Sequence, residues 1–512
     1  MQGKAFDAKR FGEKTQTVCG IDLGTQSCKL LIYNFEKKKI IAESQASLDL
    51  IAGNDGAREQ KAQWYDAALK TCFDKIDKKL KSTIAAIGVS GQQHSLVPLN
   101  EKGKPVYNVK LWCDTSTAAE CEELTKKAGG EKKLIAKTGL PMRPGYTAPK
   151  VQWLKNHKPA SFAALRHIAL PHNYINFLLT GVYSAEYGDA SGTALFDVRG
   201  RKWSEEVCRY ISPDVEKWLP PLIAPDEMAG RVTKAAADLY GIPEGTLVSS
   251  GGGDNMMSAI GAGTVRDGFL TMSLGTSGTL FGFSKKPIID GAGNLAAFCS
   301  STGGWLPLLC TMNCTVASEE FRRLFGLDLK TLDAEAAKAP VGAEGITVLP
   351  FFNGERTPNL PGGKASINGI TAANFKRENL LRAALESAIF GMRTGLESFN
   401  SLGLKAKEIR LTGGGSKSPL WQSIVSNVIN LPVRIPSGAE AAAMGASIQA
   451  LWCLENFRSK SKNKITIESL TDEHVVLEGG ATIRPDKKTA AAYDRAYAVY
   501  SRYLGTLSPL YK

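Results

Sequence analysis

Short apolar runs bounded by glycine and polar turns open the chain: residues 18–23 and 29–35 read as two strands around a tight turn, and 84–89 as a third, buried strand. Between them, apolar positions at helical spacing predict an amphipathic helix over 64–80. That alternation points to a mixed α/β unit. The loop Ser90-Gly91-Gln92-Gln93-His94 leaves the end of the third strand, where open α/β sheets place their ligands. Residues 139–172 read as loop and then helix, with Trp153 and Leu154 facing a core. Residues 186–197 (EYGDASGTALFD) read as irregular backbone of the kind that builds substrate pockets. A strand at 247–250 runs into Gly251-Gly252-Gly253, and Asp254 opens a helix through 260.

The pattern then begins again. A strand at 268–272 leads into Ser273-Leu274-Gly275-Thr276-Ser277-Gly278, a near copy of Asp22-Leu23-Gly24-Thr25-Gln26-Ser27. A strand at 345–349, a loop rich in Gly and Pro at 352–363, a strand and helix over 365–393, a strand at 408–412 entering Gly413-Gly414-Gly415-Ser416, and an Ala-rich helix at 440–451 follow. Tyr493, Tyr497, Tyr500 and Tyr503 recur at helical spacing and read as core packing. A chain of 512 residues exceeds what one core supports, and the repeat divides it into an extension at 1–17 with no role to assign, an N-terminal domain at 18–266 and a C-terminal domain at 267–512.

Composition narrows the classes. With 43% hydrophobic and 22% charged residues, a packed core is expected and disorder is not. No apolar run reaches the length of a membrane span, and residues 1–14 hold no signal-peptide core, so a cytoplasmic protein is expected. The ten cysteines form no Cys-x-x-Cys pair and no cluster with His, which predicts reduced thiols. The net charge of +13 is dispersed over Lys-rich pieces at 36–39, 75–81, 126–133 and 460–464. It reads as solvated surface, so neither nucleic acid nor membrane is expected as a partner.

The repeated turns suggest the chemistry. Two Leu-Gly-Thr turns, each after an apolar strand, suit two similar domains gripping one polyphosphate from opposite sides. Glycine lets oxygens approach the backbone, and Gly24, Thr25, Gln26, Ser27 with Gly275, Thr276, Ser277 would supply N–H and hydroxyl donors. Asp22 in the first copy is replaced by Ser273 in the second, and one divalent ion needs only one such carboxylate. The chain has no Gly-x-x-x-x-Gly-Lys-Ser/Thr loop and no protein-kinase catalytic motif, so any ATP site must be built another way. Phosphoryl transfer to a hydroxyl also needs a carboxylate to accept the proton. Asp254, beside glycines at a helix start, is the candidate general base, with helix capping as its alternative. Asp22 is a candidate for Mg2+ through water, or a strand-end turn residue. Gln93 and His94 are candidates for the hydroxyls of a sugar, a structural role for His94 being open. Gly413, Gly414 and Gly415 offer a side-chain-poor ledge for adenine, or a turn without a ligand.

Residues 145–157, Gly-Tyr-Thr-Ala-Pro-Lys-Val-Gln-Trp-Leu-Lys-Asn-His, and Ala365-Ser366-Ile367-Asn368-Gly369-Ile370 resemble the two signatures of the FGGY carbohydrate kinases, members of the actin-like ATPase superfamily. The likeness covers nearly the whole chain from about residue 18. Residues 88–94, Gly251-Gly252-Gly253-Asp254-Asn255, the second turn and Gly354-Glu355-Arg356-Thr357-Pro358 are similar to blocks of the family's ketopentose kinases. The resemblance implies an α/β fold of two actin-like (ribonuclease H-like) ATPase domains with a cleft between them, in open and closed arrangements. It implies ATP and Mg2+ as cofactors, a small-molecule ketose as substrate, and a monomer or homodimer. Asp254 is implied as catalytic base and as a metal-facing carboxylate with Asp22; Gln93, His94 and Asn255 would line the sugar site, and Gly413 and Gly414 would adjoin adenine. The leading acceptor is the 5-hydroxyl of D-xylulose, with ribulose or sedoheptulose as alternatives. A nucleotide-driven binding protein on the same fold is the alternative of a different class.

Overall fold

A computed structural model describes residues 16–438, 440–459, 464–479 and 482–511, so most of the N-terminal extension and most of the lysine piece at 460–464 lie outside the described residues. The first sheet contains β1 (Thr17–Leu23), β2 (Ser27–Asn34), β3 (Lys39–Ser47), β4 (Ile84–Gly91), β5 (Met228–Arg231) and β6 (Leu247–Ser249), in the order β5-β6-β4-β1-β2-β3. β1, β2 and β3 are antiparallel neighbours, whereas β4 runs parallel to β1 and to β6. The second sheet contains β7 (Phe269–Leu274), β8 (Gly278–Gly282), β9 (Ala296–Cys299), β10 (Trp305–Thr311), β11 (Glu408–Thr412) and β12 (Val433–Arg434), in the order β9-β10-β8-β7-β11-β12. Here β7, β8 and β10 are antiparallel and β11 runs parallel to β7 and β12. Strand for strand, β3-β2-β1-β4-β6 and β10-β8-β7-β11-β12 share one topology, so the repeat seen in the turns extends to both sheets.

Local differences from the sequence expectation have physical reasons. Thr17, assigned to the extension, is already the first residue of β1. The helix expected over 64–80 is α1 (Ala62–Asp74) followed by a separate turn at Lys78–Lys81, because the Asp77 side chain accepts from Lys79 and Leu80 N–H and restarts the helix. β3 was not expected; its residues are half to fully exposed, which leaves little apolar signal.

The helices that position the site are α2 (Thr147–His157), α3 (Pro171–Thr180), α4 (Asp254–Gly261), α5 (Arg377–Ser401), α6 (Ala441–Arg458), α7 (Ile467–His474) and α8 (Lys487–Leu507). Tyr493, Tyr497 and Tyr500 of α8 are buried around Phe390 of α5, as core packing requires. Although α6 follows the second sheet in sequence, it lies on the first. A Cβ at Gly20 of β1 would overlap the Ala443 carbonyl, and one at Gly88 of β4 would overlap that of Ala446. Gly445 makes an equally close approach to the Met257 carbonyl of α4. The Ala-rich stretch of α6 is therefore a backbone-to-backbone seam joining the two halves.

Candidate active site

At the end of β1 the chain turns back with Gly24 N–H donating to Ser27 O at 3.0 Å. Asp22 accepts from Ser90 Oγ on the neighbouring parallel strand at 2.7 Å. Burial raises its pKa, against the pull of Ser90 and of Lys29, its cross-strand partner. Lys29 itself pairs with Glu440 at the start of α6, at 2.7 Å. The Thr25 hydroxyl is already engaged, since it donates to Gln92 Oε1 at 3.1 Å and accepts from Trp112 Nε1 at 2.9 Å. What the first turn can offer a phosphate is therefore mainly backbone N–H, with Gln26 exposed at its tip.

The glycine triplet is gripped from α6. Gln449, fully buried, accepts from Gly251 N–H and donates to Gly251 O, both at 2.9 Å. Gly252 and Gly253 pair with Ser90 and Gly91 at the end of β4, and this brings α4 to the tip of the same sheet as Asp22. The N-cap position belongs to Gly253, and Asp254 is the first helical residue. Capping thus does not account for Asp254. Its Oδ1 accepts from Asn255 N–H at 2.8 Å and from Asn255 Nδ2 at 3.1 Å. Burial first, then the charges of Asp22 and Asp189, push its pKa from the ordinary 3.8 up to about 8. Asn255 Nδ2 also donates to Gln93 Oε1 at 2.6 Å, so Gln93, Asp254 and Asn255 form one contiguous polar surface.

His94 adjoins that surface but is fixed from behind. It is 8% exposed and holds φ of 59°, with its backbone N–H 3.3 Å from Asp189 Oδ1. Its ring Nδ1 lies 3.3 Å from the same oxygen without an aligned hydrogen bond. The ring sits between Tyr146 and Phe298, at 5.3 and 5.1 Å. Burial lowers its pKa despite Asp189, which favours neutral imidazole. Its carbonyl accepts from Thr147 Oγ1 and from Lys150 Nζ, each at 2.9 Å. Lys150 is completely buried, and burial brings its pKa down to about 7 against the attraction of Asp114.

Asp189 was not singled out by sequence reasoning. It lies in the irregular segment at 186–197, which pointed to the region without choosing the residue. Glu186 caps the short helix Tyr187–Ser191 by accepting from Gly188 and Asp189 N–H at 2.6 and 2.7 Å. His172 Nδ1 sits 3.1 Å from Asp189 Oδ2. Although burial opposes it, the His172 and His94 rings beside it hold the Asp189 carboxyl below its usual range.

The second turn differs from the first. Its Gly275 and Thr276 carbonyls accept from Thr315 and Cys314 N–H at 3.1 and 2.9 Å. The hydroxyls of Thr276 and Ser277 have no hydrogen-bond partner among the described residues, and Thr276 is exposed. Gly413, with φ of 83°, packs so tightly on Leu274 that a Cβ would stand 2.6 Å from its carbonyl, while Gly414 faces open space. Gly415 is buried against the Leu274 side chain. Nearby, buried Glu355 accepts from Met312 N–H at 2.6 Å and Arg356 N–H at 2.7 Å. The Arg356 side chain is left exposed, with its charge felt by Cys310, His94 and Tyr146. Arg356 entered the sequence reading only as part of a block.

Asp22 and Asp254 suit a divalent cation. Two part-buried carboxylates converge on one sheet tip, and the charge of one raises the pKa of the other, a cost that a cation would relieve. Among the described residues no three His, Cys, Asp or Glu side chains cluster as a complete ligand set. The remaining ligands would be water and phosphate oxygens.

Two family models match this arrangement: the N-terminal domain of the FGGY family of carbohydrate kinases over residues 17–261 and its C-terminal domain over 270–454. A xylulose kinase of Haemophilus influenzae is 42% identical, over 96% of this chain and 99% of its own. Among solved structures, a "xyloylose kinase" of Brucella ovis superposes with a TM-score of 0.89 at 28% identity, covering 97% of this chain and 100% of its own. A gluconate kinase of Lactobacillus acidophilus reaches the same TM-score of 0.89 at 23% identity, over 97% of this chain and 99% of its own, and shares the fold alone. The doubled sheet is the two-domain fold of the actin-like ATPases, and the chain belongs to the FGGY family of carbohydrate kinases.

Proposed function

We propose that this chain transfers the γ-phosphoryl group of ATP to the 5-hydroxyl of D-xylulose. The observation that carries the reading is Asp254: a carboxylate at the first turn of α4, raised to about 8, joined through Asn255 to Gln93. Such a group takes a proton near neutral pH, and a positioned base is the main chemical help that phosphoryl transfer accepts from a protein. The name and near-complete coverage of the Haemophilus influenzae relative favour D-xylulose over ribulose or sedoheptulose.

Asp254 takes the proton of the sugar hydroxyl as its oxygen attacks the γ-phosphorus; the new O–P bond forms, the bond to the bridging oxygen breaks, and ADP leaves. Gln93, Asn255 and His94 orient the sugar on the 18–266 side. The backbone N–H groups of Gly24 to Ser27 and the hydroxyls of Thr276 and Ser277 hold the phosphates, with adenine along Gly413 to Gly415 on the 267–512 side. Asp22 and Asp254 would hold Mg2+, which when bound would neutralise phosphate charge. Closure of the cleft keeps water from competing with the sugar. We take the protein to be a cytoplasmic monomer or homodimer; no helix among the described residues is long and apolar enough to cross a membrane.

ADP release with magnesium-ATP, compared across D-xylulose, D-ribulose, L-ribulose, sedoheptulose, glycerol and no sugar, tests the reading. Strongest stimulation by D-xylulose is expected. Stimulation by another sugar would reassign the substrate, and turnover indifferent to sugar would favour a nucleotide-driven switch.

A further inference from the structure

A second polar cavity lies at the opposite end of the second sheet from the Gly275 turn. It has a volume of about 210 Å3 and is walled by Arg266, Phe269, Arg410, Arg434, Thr471, Asp472 and neighbouring apolar residues. Three guanidinium groups thus share one small space. Arg410 and Arg434 are register partners on adjacent parallel strands, so their side chains leave the same face of the sheet side by side. Like charges in that relation repel.

The counter-charge is incomplete. Arg266 is satisfied, pairing with Asp472 at 2.8 Å and donating to Glu468 O at 3.0 Å. Arg410 is only 8% exposed; its Nε lies 2.9 Å from Glu408 Oε1 but makes no aligned hydrogen bond, and its guanidinium lies against the Phe269 ring at 4.9 Å. Arg434 has no ion-pair or hydrogen-bond partner among the described residues. Three guanidiniums therefore face two carboxylates, and buried Arg410 has an ion-pair partner in Glu408 but no aligned hydrogen bond to it. Burying a charged donor with a misaligned acceptor is costly, and an oxyanion is the acceptor whose geometry matches paired guanidiniums.

We propose that this cavity binds a small phosphoryl-type oxyanion, either inorganic phosphate or the phosphate group of a small monoester. The volume is below the ~300–1,000 Å3 of pockets for drug-sized ligands, which selects a small anion. The site is separate from the phosphate-gripping turns. Its walls include the connection that leaves α4 and the end of α7, a helix whose other side meets α6, so it sits where the two halves join.

Equilibrium dialysis of radiolabelled inorganic phosphate, at fixed ionic strength and with the nucleotide turns saturated by ADP, measures the site directly. One saturable equivalent is expected for the wild type, with at least tenfold weaker binding in Arg434→Ala, while kinase turnover in phosphate-free buffer stays at the wild-type level and shows that the variant is folded. Glycerol 3-phosphate as competitor separates the sources: displacement at lower concentration than unlabelled phosphate assigns the site to monoesters, and weaker displacement assigns it to inorganic phosphate. No saturable binding of either probe, or equal binding by wild type and Arg434→Ala, would overturn the proposal.

Discussion

Asp254 holds a proton at a pH where an exposed aspartate has long lost it, because burial and the charges of Asp22 and Asp189 disfavour its ionised form. As the proposed base it works only when ionised, so kcat/KM should rise with pH and level off above about 8, the value for the free enzyme. A rate independent of pH between 6 and 9 would contradict this. The sign of the stability effect follows. The folded value lies above the ordinary 3.8, so the native state keeps a proton that the unfolded chain releases, and stability is lost as pH rises from about 4 through about 8. Asp254→Asn removes that loss. It should lower kcat by about 100- to 10,000-fold or more, yet melt above the wild type at pH 8 and close to it at pH 4, as scanning calorimetry would show. At this scale Asp254 and Gln93 were legible as candidates because they sit beside glycines at strand and helix ends, whereas Asn255 became a candidate only through the family resemblance. Asp189 was not, since it meets His94 across 95 positions of sequence, and the loss of the Thr25 hydroxyl to Trp112 spans 87.

Among elements, α6 decides how the site is held. Its seam against β1, β4 and α4 leaves no room for a side chain at Gly20, Gly88 or Gly445. Gly88→Val should cost about 1–3 kcal/mol or more in urea denaturation, through overpacking against the Ala446 carbonyl. Gln449 acts on the site at one remove, because it fixes both polar groups of the Gly251 peptide just before Asp254. Gln449→Leu should reduce kcat by about tenfold or more with little change in KM for ATP, together with about 1–3 kcal/mol of lost stability from the unsatisfied peptide. An unchanged kcat would make Gln449 purely structural. That α6 is a helix was readable from its composition. Its partners were not, because small residues announce close packing without naming the surface, and the strands it covers lie hundreds of positions earlier.

For the whole molecule, the doubled sheet explains why a six-residue repeat carried so much information. Each copy of the turn ends a central strand of its sheet, β1 or β7, so both are aimed by the same topology, while Asp22 and Ser273 mark the one place where the two turns differ in charge. The fold alone does not choose the sugar; in the proposed function that choice rests with side chains around Gln93, His94, Asp254 and Asn255. Phosphorus NMR of a reaction of D-xylulose with magnesium-ATP is the most direct test of the central claim, run in parallel with the wild type and Asp254→Asn. A single phosphate monoester at the 5-position is expected from the wild type, formed at least about 100-fold more slowly by Asp254→Asn while ADP still binds it. Sugar-dependent product from Asp254→Asn at a rate within about tenfold of the wild type, or ATP hydrolysis to inorganic phosphate without a sugar ester in the wild type, would contradict it.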